Sequence, residues 1–174
     1  MEIKISEVLR YAGTNESDTA ATEKAREIIA EVLPKLHPRK VVARFNAADI
    51  AFKGKLVEKT LDGANEVVLF AATLGLESEQ ILKSYIAQDY FSGVICDAVL
   101  TAAIESFCDE IERETMAAKP RISCGYGDFD IRNQKEILRL LNAEKLLGIR
   151  LNDSFMMYPN KSVTALVAIC EQIF

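Results

Sequence analysis

The sequence VVLFAA at residues 67–72 contains six apolar residues in a row, so neither face of an extended strand would be polar here. A strand of this kind is typical of the centre of a sheet that is covered on both faces. The residues TLG at 73–75 follow, and Gly75 permits a sharp exit from the strand. This stretch predicts a central, doubly covered strand around which the rest of the chain folds.

Apolar residues recur with helical spacing on both sides of this strand. One such segment covers residues 19–36, and a second covers residues 77–116. Because forty residues are long for one globular helix, we expect a break near Gln88–Tyr90 that gives two helices. A third segment at 133–147 predicts another helix, which Gly148 closes as the residue after its end.

Four further segments predict strands, at residues 3–5, 39–47, 50–52 and 163–170. Strands and helices therefore occur in mixed order along the chain. This order predicts an α+β fold, in which a mostly antiparallel twisted sheet packs with a long helix pair and further helices. The length of 174 residues predicts one domain that spans residues 1–174.

The composition excludes several classes of protein. Apolar residues make up 49% of the chain, too many for a disordered protein. Twenty-one basic against 26 acidic residues leave a net charge of −5, without the basic cluster that nucleic-acid binding requires. The longest apolar run, at 67–74, is interrupted by Thr73 and is too short to span a membrane, and residues 1–10 lack the apolar core of a signal peptide. We therefore expect a soluble, cytoplasmic protein.

The histidine and cysteine content limits the possible metal sites. His37 is the only histidine, which excludes a site with two or more imidazole ligands from one chain. The four cysteines include no C-x-x-C pair, so we expect no cysteine-rich zinc site and free thiols in a reducing compartment. The sequence also contains no glycine-rich phosphate-binding motif.

The segment RISCGYGDF at residues 121–129 combines a guanidinium, a thiol, glycines, an aromatic hydroxyl and a carboxylate. Arg121 can bind a carboxylate through two hydrogen bonds, and Gly125 allows the backbone to approach a ligand closely. The ring of Tyr126 can rest against a cation or a flat ring. The alternative interpretation is a turn between helices, with Tyr126 and Phe129 packed in the core.

The motif R-x-x-x-G-Y at residues 121–126 is followed by Gln134, by the segment 140–148 and by L-x-x-S-F-x-M-x-P-x-x-S-V at 151–163. In this order and spacing, these residues resemble the reactivation domain of cobalamin-dependent methionine synthase. Residues 121–163 carry the resemblance, which identifies the chain as a stand-alone form of that domain.

The resemblance implies that the protein binds S-adenosylmethionine as a methyl donor beside the corrinoid of a methionine synthase. A donor such as flavodoxin reduces the oxidised cobalt, and the methyl group traps the reduced cobalt as methylcobalamin. In the family, the arginine and the Gly-Tyr pair contact S-adenosylmethionine, which assigns Arg121, Gly125 and Tyr126 to that site. Cys124, which stands where the family usually has proline, is included in the predicted site.

Cobalamin is expected only through the partner protein, because the family's corrinoid modules supply a cobalt ligand from D-x-H-x-x-G, and His37 lies in PKLHPRK. Two other functions remain open: a docking or small-molecule-binding protein that has lost the methyl donor, and an enzyme that uses Cys124 with a lowered pKa. Asp128 and Asp130 are predicted to cap the helix that follows them. Asp97 and Glu105 are predicted to face solvent.

Overall fold

The structure is a computed structural model, and it describes residues 1–117 and 119–170. Seven α-helices and five strands are present in the described residues. In chain order they are α1 (Ile5–Tyr11), α2 (Thr19–Val32), β1 (Arg39–Asn46), α3 (Lys55–Leu61), β2 (Glu66–Thr73), α4 (Leu76–Gln88), α5 (Tyr90–Glu114), α6 (Gln134–Leu140), α7 (Ala143–Leu147), β3 (Arg150–Leu151), β4 (Met157–Tyr158) and β5 (Ser162–Ile169).

The main sheet has the strand order β1-β2-β5, and both pairings are antiparallel. Strand β2 is the central strand, and all its residues from Val67 to Thr73 are buried. A separate two-stranded hairpin joins β3 to β4. The predicted α+β class, the antiparallel pairing and the central position of residues 67–72 are confirmed.

The two faces of β2 contribute to two separate hydrophobic cores. Val68, Phe70 and Ala72 pack with α1, α2, α4 and α5 on one side of the sheet. Val67, Leu69 and Ala71 pack with α3, α6 and α7 on the other side. Because successive side chains of a strand point to opposite faces, a continuous apolar run supplies both cores at once.

The predicted break between the two long helices lies at Asp89. The Asp89 side chain accepts hydrogen bonds from the backbone N–H of Ser92 (2.8 Å) and from the Ser92 hydroxyl (2.8 Å). The extended backbone of Asp89 ends α4, and its carboxylate caps α5. The predicted break is confirmed, and α5 becomes the principal packing helix.

Three predictions of secondary structure are wrong. Residues 3–5 do not form a strand, because α1 begins at Ile5 and buries Val8 and Leu9 at helical spacing. Residues 50–52 follow a short 3₁₀ helix and form no strand. The helix predicted for 133–147 is interrupted at Asn142, whose left-handed backbone (φ 50°) separates α6 from α7. Gly148 ends α7 with φ 75°, as predicted.

Helix α5 is long and apolar enough to cross a membrane by length and composition. However, 61% of its most apolar window is buried inside the protein. The apolar residues of α5 pack against the sheet and against α1, α2 and α4, which is the arrangement expected of a core helix.

Candidate functional site

The segment that contains Arg121 runs beside the C-terminal half of α5. Ile122 pairs with Leu166 of β5 through two backbone hydrogen bonds, Ile122 N–H to Leu166 O (3.0 Å) and Leu166 N–H to Ile122 O (2.9 Å). This bridge fixes the segment to the edge of the main sheet. Arg121, the preceding residue, is thereby placed between the sheet edge and α5.

The Arg121 guanidinium contacts three carboxylates of α5. It donates to Glu105 (2.7 Å), Asp109 (2.6 Å) and Glu112 (2.6 Å). These three residues lie four and three positions apart, so they share one face of the helix. Glu112 also accepts the backbone N–H of Arg121 at 3.0 Å, which fixes both ends of the residue. We call these four residues the Arg121 cluster.

The Arg121 cluster carries a net charge of −2, because one guanidinium faces three carboxylates. The Arg121 side chain is only 17% exposed. Burial disfavours its charged form, but the hydrogen bonds that it donates to Asp109, Glu112 and Glu105 outweigh burial and raise the pKa of the guanidinium. The arginine is therefore charged at all accessible pH values, and a ligand meets a predominantly negative surface around it.

The loop after Arg121 is a tight turn held by Phe129. Gly125 has φ 91°, and its N–H donates to the carbonyl of Phe129 at 2.7 Å. Phe129 is 1% exposed and its ring lies 5.6 Å from that of Phe52. Tyr126 is 68% exposed. Phe129 thus packs in the core, whereas Tyr126 does not.

A groove of about 580 Å³ brings several residues of the sequence motifs together. Its lining includes Arg121, Cys124, Tyr126, Gln134, Met157 and Ser162. Glu105 and Glu112 also line the groove, and they form a wall that it shares with a larger cleft of about 1010 Å³ on the side of α1. Three of the four predicted site residues therefore face one cavity, and the fourth, Gly125, lies between two of them in the loop.

The prediction that Glu105 faces solvent is wrong, because Glu105 is only partly exposed and binds Arg121. Asp97 is exposed, as predicted, and it pairs with Lys161 at 2.7 Å. The spacing of Glu105, Asp109 and Glu112 indicated that they share a helix face. Nothing in the sequence indicated which cation would face them, because Arg121 reaches α5 only through the pairing with β5.

Cys124 is not an activated thiol. Burial raises its pKa to about 12, so the lowered pKa considered from the sequence is wrong. All four cysteines are free. Within residues 1–117 and 119–170, no group of three or more His, Cys, Asp or Glu side chains could hold a metal ion. His37 is exposed in the turn before β1.

We expect Cys124 to react slowly with iodoacetamide at pH 7. With a pKa of about 12, only about one thiol in 10⁵ is ionised at that pH, and the thiolate is the reactive species. Mass spectrometry of the labelled protein, compared with a cysteine peptide of ordinary pKa, measures the rate. Labelling of Cys124 as fast as the peptide would restore the enzyme hypothesis based on this residue.

Asp128 and Asp130 cap different helices. Asp130 accepts the N–H of Arg132 at 2.8 Å and caps the short 3₁₀ helix before α6, as predicted. Asp128 accepts the N–H groups of Lys55 (2.6 Å) and Leu56 (3.0 Å), at the start of α3. The prediction for Asp128 is therefore wrong: it fixes the loop to α3, a distant element in the sequence.

Replacing Asp128 by alanine is expected to lower the melting temperature at pH 7. The N–H groups of Leu56 and Lys55 stabilise the charged carboxylate and lower its pKa below the ordinary value. A lowered pKa contributes stability that is present above the unfolded-state pKa of about 3.9 and is lost as the pH falls through the lower folded-state value. Melting curves between pH 2 and 7 should therefore converge for the variant and the parent protein at the acidic end; a constant difference would contradict this assignment.

Comparison with known protein families supports the sequence motif. Residues 118–172 match the model of a family described as the activation domain of vitamin B12-dependent methionine synthase. The match covers less than half of the 174 residues, but it includes the whole segment 121–163 that carries the predicted resemblance. The resemblance is confirmed. No curated protein sequence matches the chain significantly.

Comparison with solved structures supports the fold. The chain is similar to the MetH reactivation domain, in a crystal structure with AdoHcy bound, with a TM-score of 0.70 and 18% sequence identity. The similarity covers 87% of this chain and 65% of that chain. The protein therefore has the fold of a reactivation domain, over less than two thirds of the length of the one in that structure.

Proposed function

We propose that this protein binds S-adenosylmethionine in the groove beside the Arg121 cluster and presents its methyl group to a separate corrinoid-dependent methionine synthase. In this proposal, the protein is a reactivation partner that acts in trans in the cytoplasm. The fold and the family match at residues 118–172 support the general role. The ligand, the reaction and the partners are the parts that experiment must test.

One observation carries the proposal: the groove places a guanidinium directly beside two carboxylates, those of Glu105 and Glu112. An amino-acid head group carries a carboxylate and an ammonium on one carbon, so it needs a cation and an anion as close neighbours. Arg121 can bind the ligand carboxylate, and Glu105 can accept from the ammonium. We therefore assign the methionine moiety to this part of the groove.

The charge of the Arg121 cluster favours the sulfonium form of the ligand. S-adenosylmethionine has two positive charges and one negative charge, whereas its demethylated product has one of each. Glu105 and Glu112 line the groove together with Arg121, so the groove has a net charge of −1 and attracts the cationic form more strongly. Loss of the methyl group removes this attraction, which helps the product to leave.

The uncharged lining of the groove suits the adenosyl moiety. Tyr126 offers an exposed ring against which a flat base can stack, and Met157 adds apolar surface. Cys124, as an un-ionised thiol, is a further neutral contact in this region. Gly125 brings the backbone of the loop close to the ligand without a side chain.

The reaction requires one electron and one methyl group. A donor such as flavodoxin supplies the electron to the oxidised cobalt of the partner, and the C–S bond of the sulfonium then breaks as the methyl group joins the reduced cobalt. S-adenosylhomocysteine leaves with the electron pair of the broken bond. This protein contributes by holding the methyl group in line with the cobalt. Such positioning can lower the activation free energy of methyl transfer by at most about 7–11 kcal/mol.

A second candidate is a docking or small-molecule-binding protein that no longer binds a methyl donor. The observation in its favour is that Arg121 already contacts three protein carboxylates. A ligand carboxylate has to compete with them or use the guanidinium N–H groups that they leave available. The two candidates differ in whether S-adenosylmethionine binds at all.

The test combines binding with methyl transfer. Calorimetry should show binding of S-adenosylmethionine at one site per chain. In a mixture with a corrinoid methionine synthase that lacks its own reactivation domain, a one-electron reductant and methyl-labelled S-adenosylmethionine, we expect growth of the methylcobalamin spectrum with label on cobalt. An equal rate without this protein would refute the reactivation role. Formation of a complex with the synthase without ligand binding would support the docking alternative.

A further inference from the structure

The side chain of Gln134 contains an unpaired polar atom inside the protein. Gln134 is the first residue of α6 and is 5% exposed. Its Nε2 donates to the carbonyl of Phe155 at 3.1 Å. Its Oε1 is buried, and it has no hydrogen-bond partner within the described part of the chain. A buried acceptor without a donor destabilises a folded protein, so its presence needs a reason.

Gln134 lies at the groove, in its uncharged part. The charged lining comes from α5 and Arg121, whereas Gln134 shares the remaining lining with Cys124, Tyr126 and Met157. A ligand ammonium belongs beside Glu105 and Glu112. The donor that Gln134 lacks is therefore a neutral N–H or O–H group, which an adenosyl moiety possesses.

We propose that Gln134 recognises the adenine base of the bound ligand. Because Oε1 has almost no exposed surface in the structure, binding requires a small shift of the Gln134 side chain that opens Oε1 to the groove while Nε2 keeps its hydrogen bond to Phe155. Oε1 then accepts a hydrogen bond from the exocyclic amine, and the second N–H of Nε2 donates to the adjacent ring nitrogen. Glutamine side chains form this two-bond pairing with adenine in other proteins. The inference rests on the proposed function, and it names Gln134 as the residue that determines base specificity in the same groove.

The carbonyl of Phe155 fixes which base can be accepted. Nε2 must face this carbonyl to donate to it, so the Gln134 amide cannot turn over and exchange its oxygen and nitrogen. Oε1 therefore keeps its place, and an amide oxygen can only accept a hydrogen bond. Hypoxanthine carries an oxygen where adenine carries the amine. In an inosyl ligand, two acceptor oxygens would face each other, and the hydrogen bond would be replaced by repulsion.

Calorimetry with S-adenosylhomocysteine and S-inosylhomocysteine tests this inference without any methyl transfer. The parent protein should bind the adenosyl compound at least tenfold more tightly. Gln134→Met removes the amide oxygen and the amide nitrogen at similar volume, so it should weaken adenosyl binding about tenfold and abolish the preference. Thr22→Val is the matched control, because Thr22 has the other buried, unpartnered side-chain oxygen in the described residues and lies outside the groove. It should bind both compounds as the parent protein does.

Each result decides between the alternatives. Equal binding of the two compounds by the parent protein would overturn the inference, even if the Gln134 variant fails to fold. A variant that melts at a lower temperature but keeps the adenosyl preference would assign Gln134 a purely structural role. If the Gln134 variant melts at the same temperature as the parent protein and also keeps the adenosyl preference, the base binds elsewhere in the groove. If the parent protein binds neither compound and also fails to bind S-adenosylmethionine in the same calorimeter, the proposed function is refuted, and with it the inference.

Discussion

Replacing Arg121 by alanine is expected to lower the free energy of unfolding by about 2–3 kcal/mol and to abolish measurable binding of S-adenosylmethionine. Removing the partner of a buried charge costs about 3–5 kcal/mol, and we expect less here because Glu105 (39% exposed) and Asp109 (62% exposed) can be solvated. The Arg121 cluster is the reason why both should change.

The salt dependence of unfolding tests whether the loss of stability in Arg121→Ala comes from repulsion between carboxylates. Without Arg121, three carboxylates of α5 repel one another, and 1 M NaCl should screen part of that repulsion and recover part of the lost stability. Arg121→Lys should recover stability but little binding, because an ammonium cannot make two parallel hydrogen bonds to a carboxylate.

Arg44→Ala is the matched control for the Arg121 variant. Arg44 is 54% exposed and pairs with Glu66 on the surface, so its loss should cost less than about 1 kcal/mol. Denaturant unfolding at low and high salt, together with calorimetry, gives these values. Equal losses for the variants of Arg121 and Arg44 would show that the cluster does not contribute as described.

Replacing Gly125 by alanine is expected to reduce the rate of methylcobalamin formation more than tenfold. Gly125 has φ 91°, a conformation that costs a residue with a side chain about 1–3 kcal/mol. The nearest atoms to an added Cβ belong to Ile131, at 3.9 Å and 4.0 Å, which is ordinary van der Waals contact and no clash. The loop would therefore move because the backbone of an alanine relaxes away from the positive φ. Such a movement displaces Tyr126 and Cys124, and positioned reactants lose rate steeply with small displacements.

Gly13→Ala separates strain from function. Gly13 has φ 77° and open space around it, and it lies at the end of α1, outside the groove. Both alanine variants should lose similar stability in thermal unfolding, but only the variant of Gly125 should lose methyl transfer in the labelled assay. If the variant of Gly13 is equally inactive, the loss reflects general destabilisation and Gly125 has no special role.

The sequence predicted the main elements of the fold because they depend on local patterns. The apolar run at 67–72 required a position between two layers, and β2 lies there. The helical spacing at 19–36 and 77–116 required amphipathic helices, and Asp89 supplied the cap that divides the second. In each case, the burial of the apolar side chains dominates the energy, so their pattern along the chain suffices for the prediction.

The short elements were predicted less well, since their pattern is ambiguous. Ile3 and Ile5 alternate as in a strand, but Ile5, Val8 and Leu9 also fit one face of a helix, and packing against α5 decides between them. Asn142 interrupts a continuous amphipathic pattern through a left-handed backbone that an asparagine can adopt. Only the packing of α7 against the sheet selects that conformation.

The fold class, the central strand and the chemically unusual character of the segment 121–129 all follow from the order of the residues. The surroundings of that segment depend instead on how distant elements pack. Arg121 meets carboxylates 9 to 16 residues away because its neighbour Ile122 pairs with β5. Asp128 caps a helix 72 and 73 residues away, and Gln134 reaches Phe155 across 21 residues. Polar contacts of this kind leave no periodic pattern in the sequence, because they depend on where two separate elements pack together.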